Sequence, residues 1–217
     1  MGRESQALPL KVLAAEFVTS ATSVAGAPSD PGPRIALVGR SNVGKSSLIN
    51  ALAGRAIART SATPGRTRLA NFYRVTLAAS AGAGGRRSIV YLVDLPGYGY
   101  ARGGHGAQFA FAQLAEELFA EKGFAAALLV VDARHPGLDA DRRARDWLAE
   151  RGLAFGVVAT KVDKLSRAER ARAIRQIAAT LEGPALAFSA ATGEGRDELW
   201  SMIAELGRAR AERPARE

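Results

Sequence analysis

The sequence predicts an α/β fold: a mostly parallel, six-stranded sheet with one antiparallel strand and helices on both faces. Two observations carry the prediction. Six short apolar runs alternate along the chain with helical patterns, and that alternation calls for a parallel sheet covered on both sides. The stretch Gly82 to Arg87 (GAGGRR) breaks this rhythm, reading as a turn between two paired strands, one of which then runs against the rest. A chain of 217 residues is an ordinary length for one such domain.

The elements follow in order. Residues 26–33 (GAPSDPGP) are a cluster of chain breakers, separating an N-terminal segment, 1–32, from a main domain, 33–207. The segment is expected to be partly flexible, although the run Leu13 to Ala21 is a candidate for a further strand. Arg34 to Val38 (RIALV) reads as a buried strand and Lys45 to Ala53 as a helix. Phe72 to Ala78 alternates as a half-buried strand does, and Ile89 to Val93 (IVYLV) is continuously apolar. The helical stretch Gln108 to Lys122 comes next. Strands at Ala126 to Val131, Ala154 to Ala159 and Ala185 to Phe188 then interleave with helices at Asp139 to Arg151, Arg167 to Leu181 and Asp197 to Arg210. The tail, 208–217 (RARAERPARE), is charged, carries Pro214 and is expected to fray. No internal repeat is visible.

Composition narrows the chemistry. There is no cysteine, which excludes disulfides, thiolate metal sites and cysteine nucleophiles. Two histidines, His105 and His135, are too few for a zinc centre built on imidazole. The longest strongly apolar run, Phe124 to Val131, falls far short of the ~20 residues of a membrane span. No signal-peptide pattern is present at the N-terminus, so a cytoplasmic protein is expected. The formal charge of +9 favours polyanionic partners, nucleic acid above all. Only five of the thirty basic residues are lysines, a bias that codon usage would also produce.

In open α/β sheets ligands bind beyond the carboxyl ends of the strands, and the motifs lie there. Gly39 to Ser46 reads GRSNVGKS and matches G-x-x-x-x-G-K-[ST] between a strand and a helix. Its backbone N–H groups can surround phosphates, Lys45 can reach the β and γ phosphates, and the Ser46 hydroxyl can meet Mg²⁺. Asp94, closing the strand Ile89 to Val93, begins D-x-x-G with Leu95, Pro96 and Gly97. A carboxylate there can hold Mg²⁺ through water, and the Gly97 N–H can meet a γ-phosphate. Thr160-Lys161-Val162-Asp163 follows another strand. Asp163 can accept from guanine N1–H and the N2 amino group, whereas adenine would leave it unpaired at a cost of ~1–3 kcal/mol. The Lys161 stem can cover the base, and Ser189-Ala190 can offer a backbone N–H to guanine O6.

Together these residues resemble the TRAFAC GTPases and, closely, their EngB (YihA/YsxC) branch. The resemblance rests on Gly39 to Leu52 (GRSNVGKSSLINAL), Thr63 to Arg68 (TPGRTR), Asn71-Phe72-Tyr73, Asp94 to Ala101 (DLPGYGYA) and Thr160 to Lys164 (TKVDK). It implies a Ras-like P-loop GTPase fold, GTP hydrolysis with Mg²⁺, and a role in assembly of the large ribosomal subunit, with rRNA as the expected contact. It also implies an association with normal cell division and septation. A monomer is expected. Carried over by position, Gly39, Arg40, Ser41, Asn42, Val43, Gly44, Lys45, Ser46 and Ser47 form the phosphate site. Gly65, Arg66, Thr67, Arg68 and Leu69 fall in the first switch, Asp94 to Gly97 in the second. Thr160 to Asp163 reads guanine, and Phe188, Ser189 and Ala190 close over the base. Ser46, Thr67 and Asp94 are then the Mg²⁺ set, with Lys45, Thr67, Gly97 and Asn42 as the candidate catalytic groups. The chain has Thr160 where most GTPases carry Asn, and in this it is similar to the EngB group.

Ras-like enzymes orient the attacking water with a glutamine after D-x-x-G. Here that residue is Tyr98, so turnover without a partner is expected to be slow. Asn42 resembles the K⁺-binding asparagine of potassium-activated GTPases and is expected to ligate K⁺ in the transition state; the alternative is that it only shapes the loop through its side-chain amide. Arg142, Arg143 and Arg145, and Arg167, Arg170, Arg172 and Arg175, read either as solvated helix faces or as an rRNA contact. Phe17, Trp147 and Trp200 read as packing residues. Two function classes share every motif: a GTPase switch, and a nucleotide-gated binding module whose hydrolysis is incidental. A P-loop kinase would not need the guanine-reading loops.

Overall fold

The structure is a computed structural model; it describes residues 10–22, 26–60, 69–79, 87–98, 118–119 and 124–211. Seven strands form one sheet: β1 (Leu10–Ala21), β2 (Arg34–Val38), β3 (Ala70–Ala79), β4 (Arg87–Asp94), β5 (Phe124–Asp132), β6 (Phe155–Thr160) and β7 (Ala185–Ala187). Their spatial order is β1-β3-β4-β2-β5-β6-β7. Strand β3 pairs antiparallel with β1 and β4, and the pairs from β4 through β7 are parallel. The expected architecture therefore holds with one antiparallel strand, but the sheet has seven strands rather than six. The extra strand is β1, from the N-terminal segment, whose backbone pairs with β3 along its length, interrupted by two register shifts.

The helices are α1 (Lys45–Ala53), α2 (Asp139–Glu150), α3 (Arg167–Thr180) and α4 (Arg196–Ala211). Of the expected helix at 108–122, only Leu118 and Phe119 lie among the described residues, and both are helical. Alternation along the central strands sorts the core into two layers. Ile35 and Leu37 of β2 and Leu128 and Val130 of β5 face Leu48, Ile49 and Leu52 of α1 and Leu199, Trp200 and Ile203 of α4. The intervening Ala36, Val38, Leu129 and Val131 face Leu148 of α2, Ile177 of α3 and Leu181 just after it. All nine residues of β5 are buried, which is why it reads as an unbroken apolar run. Trp200 is fully buried and Trp147 packs edge-on against Phe119, as expected of packing residues. Phe17 departs from that expectation: it is 49% exposed on the edge strand, where its ring meets Tyr73 edge to face.

Helix ends differ according to their task. Ser166 and Glu169 form a reciprocal capping box at the start of α3. Helix α1 starts from Gly44 with no side-chain cap and no acidic residue in its first turn, leaving its amides to an outside anion. Gly54 stops α1 in the left-handed region, and the Asn50 side chain then binds the Ile57 N–H, the Ala58 N–H and the Ala58 carbonyl, shaping the exit toward the first switch.

Gly195, just before α4, has φ +78°, and a Cβ there would collide with the Ala187 carbonyl oxygen at the end of β7. Gly195→Ala is expected to lower stability by at least about 2 kcal/mol, measured by urea unfolding, because strain and collision act together. Retention of wild-type stability would mean that this turn has room the geometry denies it.

Candidate functional site

The loops that leave the carboxyl ends of β2, β4, β5, β6 and β7 converge at one edge of the sheet. The first, 39–44, carries Asn42 at φ 62° and Gly44 at φ 106°, and this left-handed pair turns the backbone over the start of α1. Lys45 is buried and donates from Nζ to the carbonyls of Gly39 (3.0 Å) and Arg40 (3.3 Å). Burial lowers its pKa from the ordinary lysine value, and the nearby Asp94 charge opposes that. Its ammonium is thus held at the loop it closes, in a desolvated position where a phosphate charge would count strongly. Val43 is buried, while Ser47 is half-buried in the first turn of α1.

Asp94 ends β4 and is 3% exposed. Its Oδ2 accepts from the Ser46 hydroxyl at 2.9 Å, while Oδ1 is buried without a hydrogen-bond partner among the described residues. Burial raises the Asp94 pKa, opposed by the Lys45 charge and the Ser46 hydrogen bond. A hydroxyl beside a carboxylate with a buried, unpaired oxygen is a hard-oxygen donor set suited to Mg²⁺, which takes one or two protein oxygens and leaves other positions to phosphate and water. Leu95 and Pro96 are buried; Gly97 lies against Ser41. Among the first-switch candidates, Leu69 borders β3 and is partly exposed. Gly65, Arg66, Thr67 and Arg68 lie outside the described residues, as do His105 and Ala101.

The base-side loop is tied directly to the phosphate loop. The Thr160 hydroxyl lies 2.6 Å from the Val43 carbonyl and 3.0 Å from the Val131 carbonyl, sharing its proton between them. Lys161, at φ 61°, donates from Nζ to the Asn42 carbonyl (2.5 Å) and to Asp132 Oδ2 (2.8 Å). Val162 packs in the core and starts a single 3₁₀ turn, Val162–Lys164, which leaves the Asp163 carboxylate at the surface of the site. Ser189 Oγ donates to Asp163 Oδ1 at 2.7 Å, and Lys164 approaches Oδ2 at 3.3 Å. The Ser189 hydrogen bond is the largest cause lowering the Asp163 pKa, so the carboxylate is ionised and able to accept a pair of donors. The Ser189 Oγ in turn accepts from the N–H groups of Ala191 and Thr192, and Ala190 is exposed between them. The Phe188 ring is fully buried in the layer beneath, so Phe188 presents backbone to this loop, its carbonyl accepting from the Val162 N–H.

Two acidic residues of the site escaped the sequence reading. Asp132, at the end of β5, accepts from the Arg134 backbone N–H and Nε (both 3.0 Å), from Arg134 Nη2 (2.7 Å) and from Lys161. Burial pushes its pKa up, but the Arg134 and Lys161 hydrogen bonds outweigh this and hold it at about 2. Asp141, in the first turn of α2, is 3% exposed and receives both Arg40 Nε and the Tyr98 hydroxyl at 3.0 Å. The only hint of either in the sequence is an aspartate just after, or soon after, a strand whose end faces the ligand side.

Five strand-end loops, a lysine-closed phosphate loop, a serine–aspartate pair and an ionised carboxylate on the base side define a P-loop nucleotide-binding protein of the GTPase class. The comparisons agree. A family model described as "50S ribosome-binding GTPase" matches residues 34–161. A protein of Chlorobaculum parvum described as "Probable GTP-binding protein EngB" is 41% identical over 198 residues, covering 89% of this chain and 97% of that one. One of the same description from Pelotomaculum thermopropionicum is 42% identical, covering 89% and 96%. A crystal structure of an EngB protein superposes with a TM-score of 0.59 at 25% identity, over 81% of this chain and 99% of that one. Era from Aquifex aeolicus shares the fold, with a TM-score of 0.61 at 24% identity over 80% of this chain and 56% of that one. The chain belongs to the EngB family of GTP-binding proteins.

Asp132 makes the phosphate loop and the base loop one unit through Lys161. Asp132→Asn keeps the shape but presents an amide to donors, and hydrogen bonds to charged groups are worth ~1.5–3 kcal/mol. GDP dissociation is expected to accelerate by roughly ten-fold or more on that basis, read by stopped-flow with a fluorescent GDP. The pH dependence gives an independent check. Because the folded pKa is depressed from 3.8 to about 2, the wild type gains stability that is complete above the unfolded value and lost as pH falls through the folded one. The stability gap between wild type and variant should therefore close as pH falls from about 4 to about 2.

Proposed function

We propose that this protein is a GTP-binding and GTP-hydrolysing switch that acts in assembly of the large ribosomal subunit, in the cytoplasm, with an associated role in normal cell division and septation. The observation that carries the nucleotide reading is the pair of ties, Thr160 to Val43 and Lys161 to Asn42, that fix a phosphate-binding loop beside an ionised Asp163. A guanine nucleotide has its phosphates at one end and paired N–H donors at the other, and it spans such a site. The ribosomal part rests on the family description, a 50S ribosome-binding GTPase.

In this reading the amides of Gly39 to Ser47 and the Lys45 ammonium bind the phosphates of GTP. Asp163 accepts from the base, Lys161 covers it, and the Ser189-Ala190 backbone meets its carbonyl. Ser46 and Asp94, with Thr67, hold Mg²⁺, which when bound neutralises the β and γ phosphates. Gly97 gives its N–H to the γ-phosphate, and water cleaves GTP to GDP and phosphate. Tyr98 carries no amide to orient that water, and its hydroxyl is engaged by Asp141. Turnover is therefore slow until a ribosomal partner or K⁺ at Asn42 assists. The same engagement favours a second reading, a nucleotide-gated ribosome-binding module in which hydrolysis is incidental; stimulation of turnover by large subunits separates the two.

The arginines refine the contact surface. Arg142, Arg145 and Arg170 are paired with Asp139, with Asp146 and Glu182, and with Glu194. Arg143 on α2 and Arg167, Arg172 and Arg175 along α3 are exposed and make no ion pair among the described residues. In this reading these four arginines, three of them on α3, are the ones left to meet rRNA phosphates.

Co-sedimentation with large ribosomal subunits at fixed salt should show binding with a non-hydrolysable GTP analogue and release with GDP. Equal binding in both states removes the ribosome as what the switch regulates. Turnover at saturating GTP should be faster in K⁺ than in Na⁺, and Asn42→Gly, which keeps the left-handed backbone, should abolish the difference. Identical rates in the two salts for the wild type would eliminate the potassium role.

A further inference from the structure

Three side chains far apart in sequence meet beneath the phosphate loop. Arg40 belongs to that loop, Tyr98 follows the D-x-x-G stretch, and Asp141 opens α2. One carboxylate oxygen, Asp141 Oδ1, accepts from Arg40 Nε and from the Tyr98 hydroxyl, both at 3.0 Å. The backbones are joined as well. Arg40 and Tyr98 form a parallel bridge, and the Ser41 N–H donates to the Tyr98 carbonyl at 3.2 Å. Gly97 is pressed so closely on Ser41 that a Cβ would sit 2.5 Å from its nitrogen and 2.7 Å from its Cα and Oγ. The second switch thus lies flat on the phosphate loop, clamped by side chains on one flank and by backbone on the other.

We propose that Asp141 is a positioning residue of the switch: by holding the Tyr98 hydroxyl it keeps Gly97 docked on Ser41, and a γ-phosphate can recruit the Gly97 N–H only by breaking the Tyr98–Asp141 bond. The proposal rests on the GTPase reading of the site. Two features support it. Gly97 is packed so closely on Ser41, with its neighbour Tyr98 bridged to Arg40, that a displacement of Gly97 away from the phosphate loop must carry Tyr98 with it. Asp141 is also anchored independently of Tyr98, by Arg40 and by its place in a regular helix, so it stays put when the switch lifts. The bond is therefore a cost charged to the GTP state and not to the GDP state. A ligand shifts such an equilibrium only by its differential affinity for the two states. The clamp also gives α2 a mechanical connection to the second switch, since a displacement of its first turn moves the acceptor on which Tyr98 rests.

Tyr98→Phe removes the hydroxyl and keeps the ring. Affinities for GDP and for a non-hydrolysable GTP analogue are measured by competition against a fluorescent GDP, on the full chain, with thermal melting to confirm folding. The ratio of analogue Kd to GDP Kd should fall roughly ten-fold, the value of one hydrogen bond to a charged acceptor, with the GDP affinity nearly unchanged. Asp141→Asn should move the ratio in the same direction by less, because its amide oxygen can still accept. A purely structural role would weaken both nucleotides alike and leave the ratio unaltered, which overturns the proposal. So does a ratio that rises. Failure of the wild type to bind either nucleotide overturns the reading of the site, a result distinct from a bound but unshifted ratio.

Discussion

The site depends on Thr160 and Lys161 gripping the phosphate loop from the end of β6. The Thr160 proton lies between the carbonyls of Val43 and Val131, and the Lys161 ammonium lies between the Asn42 carbonyl and Asp132. Without these bonds, the left-handed turn at Asn42 and Gly44 would be an exposed loop with unsatisfied carbonyls, free to take many shapes. With them, the loop is fixed to two strands of the sheet. The phosphate and base regions then keep one separation. An arrangement fixed before the ligand arrives loses less conformational entropy on binding it.

Strand β5 is the beam for this arrangement. It is buried along its whole length, its partners β2 and β6 deliver the two loops, and its last residue, Asp132, supplies the charge that orients Lys161. Four ionisable side chains at this end of the sheet, Lys45, Asp94, Asp132 and Asp141, are buried. Burying a charge is costly unless it is hydrogen-bonded or paired. Asp132 and Asp141 are compensated within the protein, by Arg134 and Lys161 and by Arg40. Asp94 is compensated incompletely, since one of its oxygens has no hydrogen-bond partner among the described residues, and Lys45 donates only to the neutral carbonyls of Gly39 and Arg40. The division separates charges that hold the scaffold from charges kept for a ligand.

That division also explains what could be read from the sequence. The parallel sheet and its two helix layers follow from periodicity, a local property; Arg34–Val38 was legible to the residue because every position in it is apolar or flanks a breaker. The phosphate loop and Asp94 were legible because their spacing and strand context are short-range. Asp132 and Asp141 were not, since their meaning lies in partners 29 and 101 residues away. The substitution at Thr160 reads in sequence as a shortened asparagine, whereas in the structure its hydroxyl reaches the carbonyl that matters. Strand β1 was visible only as a candidate, because an edge strand with one wet face mixes apolar and polar residues without a clean period. The arginines misled in a third way: charge counts on a helix do not reveal that Arg145 and Arg170 are neutralised from other elements.

Tyr98 brings these threads together. In a Ras-like enzyme the residue at this position serves the attacking water; here its hydroxyl faces Asp141 and its carbonyl faces Ser41. On the proposed reading, the side chain at this position fastens the second switch to the scaffold instead of serving the water. A switch built as proposed would hold GTP for a long interval by default. On the same reading the end of that interval would come from outside the loop, through a cation at the phosphate loop or a surface that moves α2. That order of control, slow intrinsic chemistry with an external signal for release, would suit the proposed assembly role, in which the bound state has to last as long as the partner's maturation.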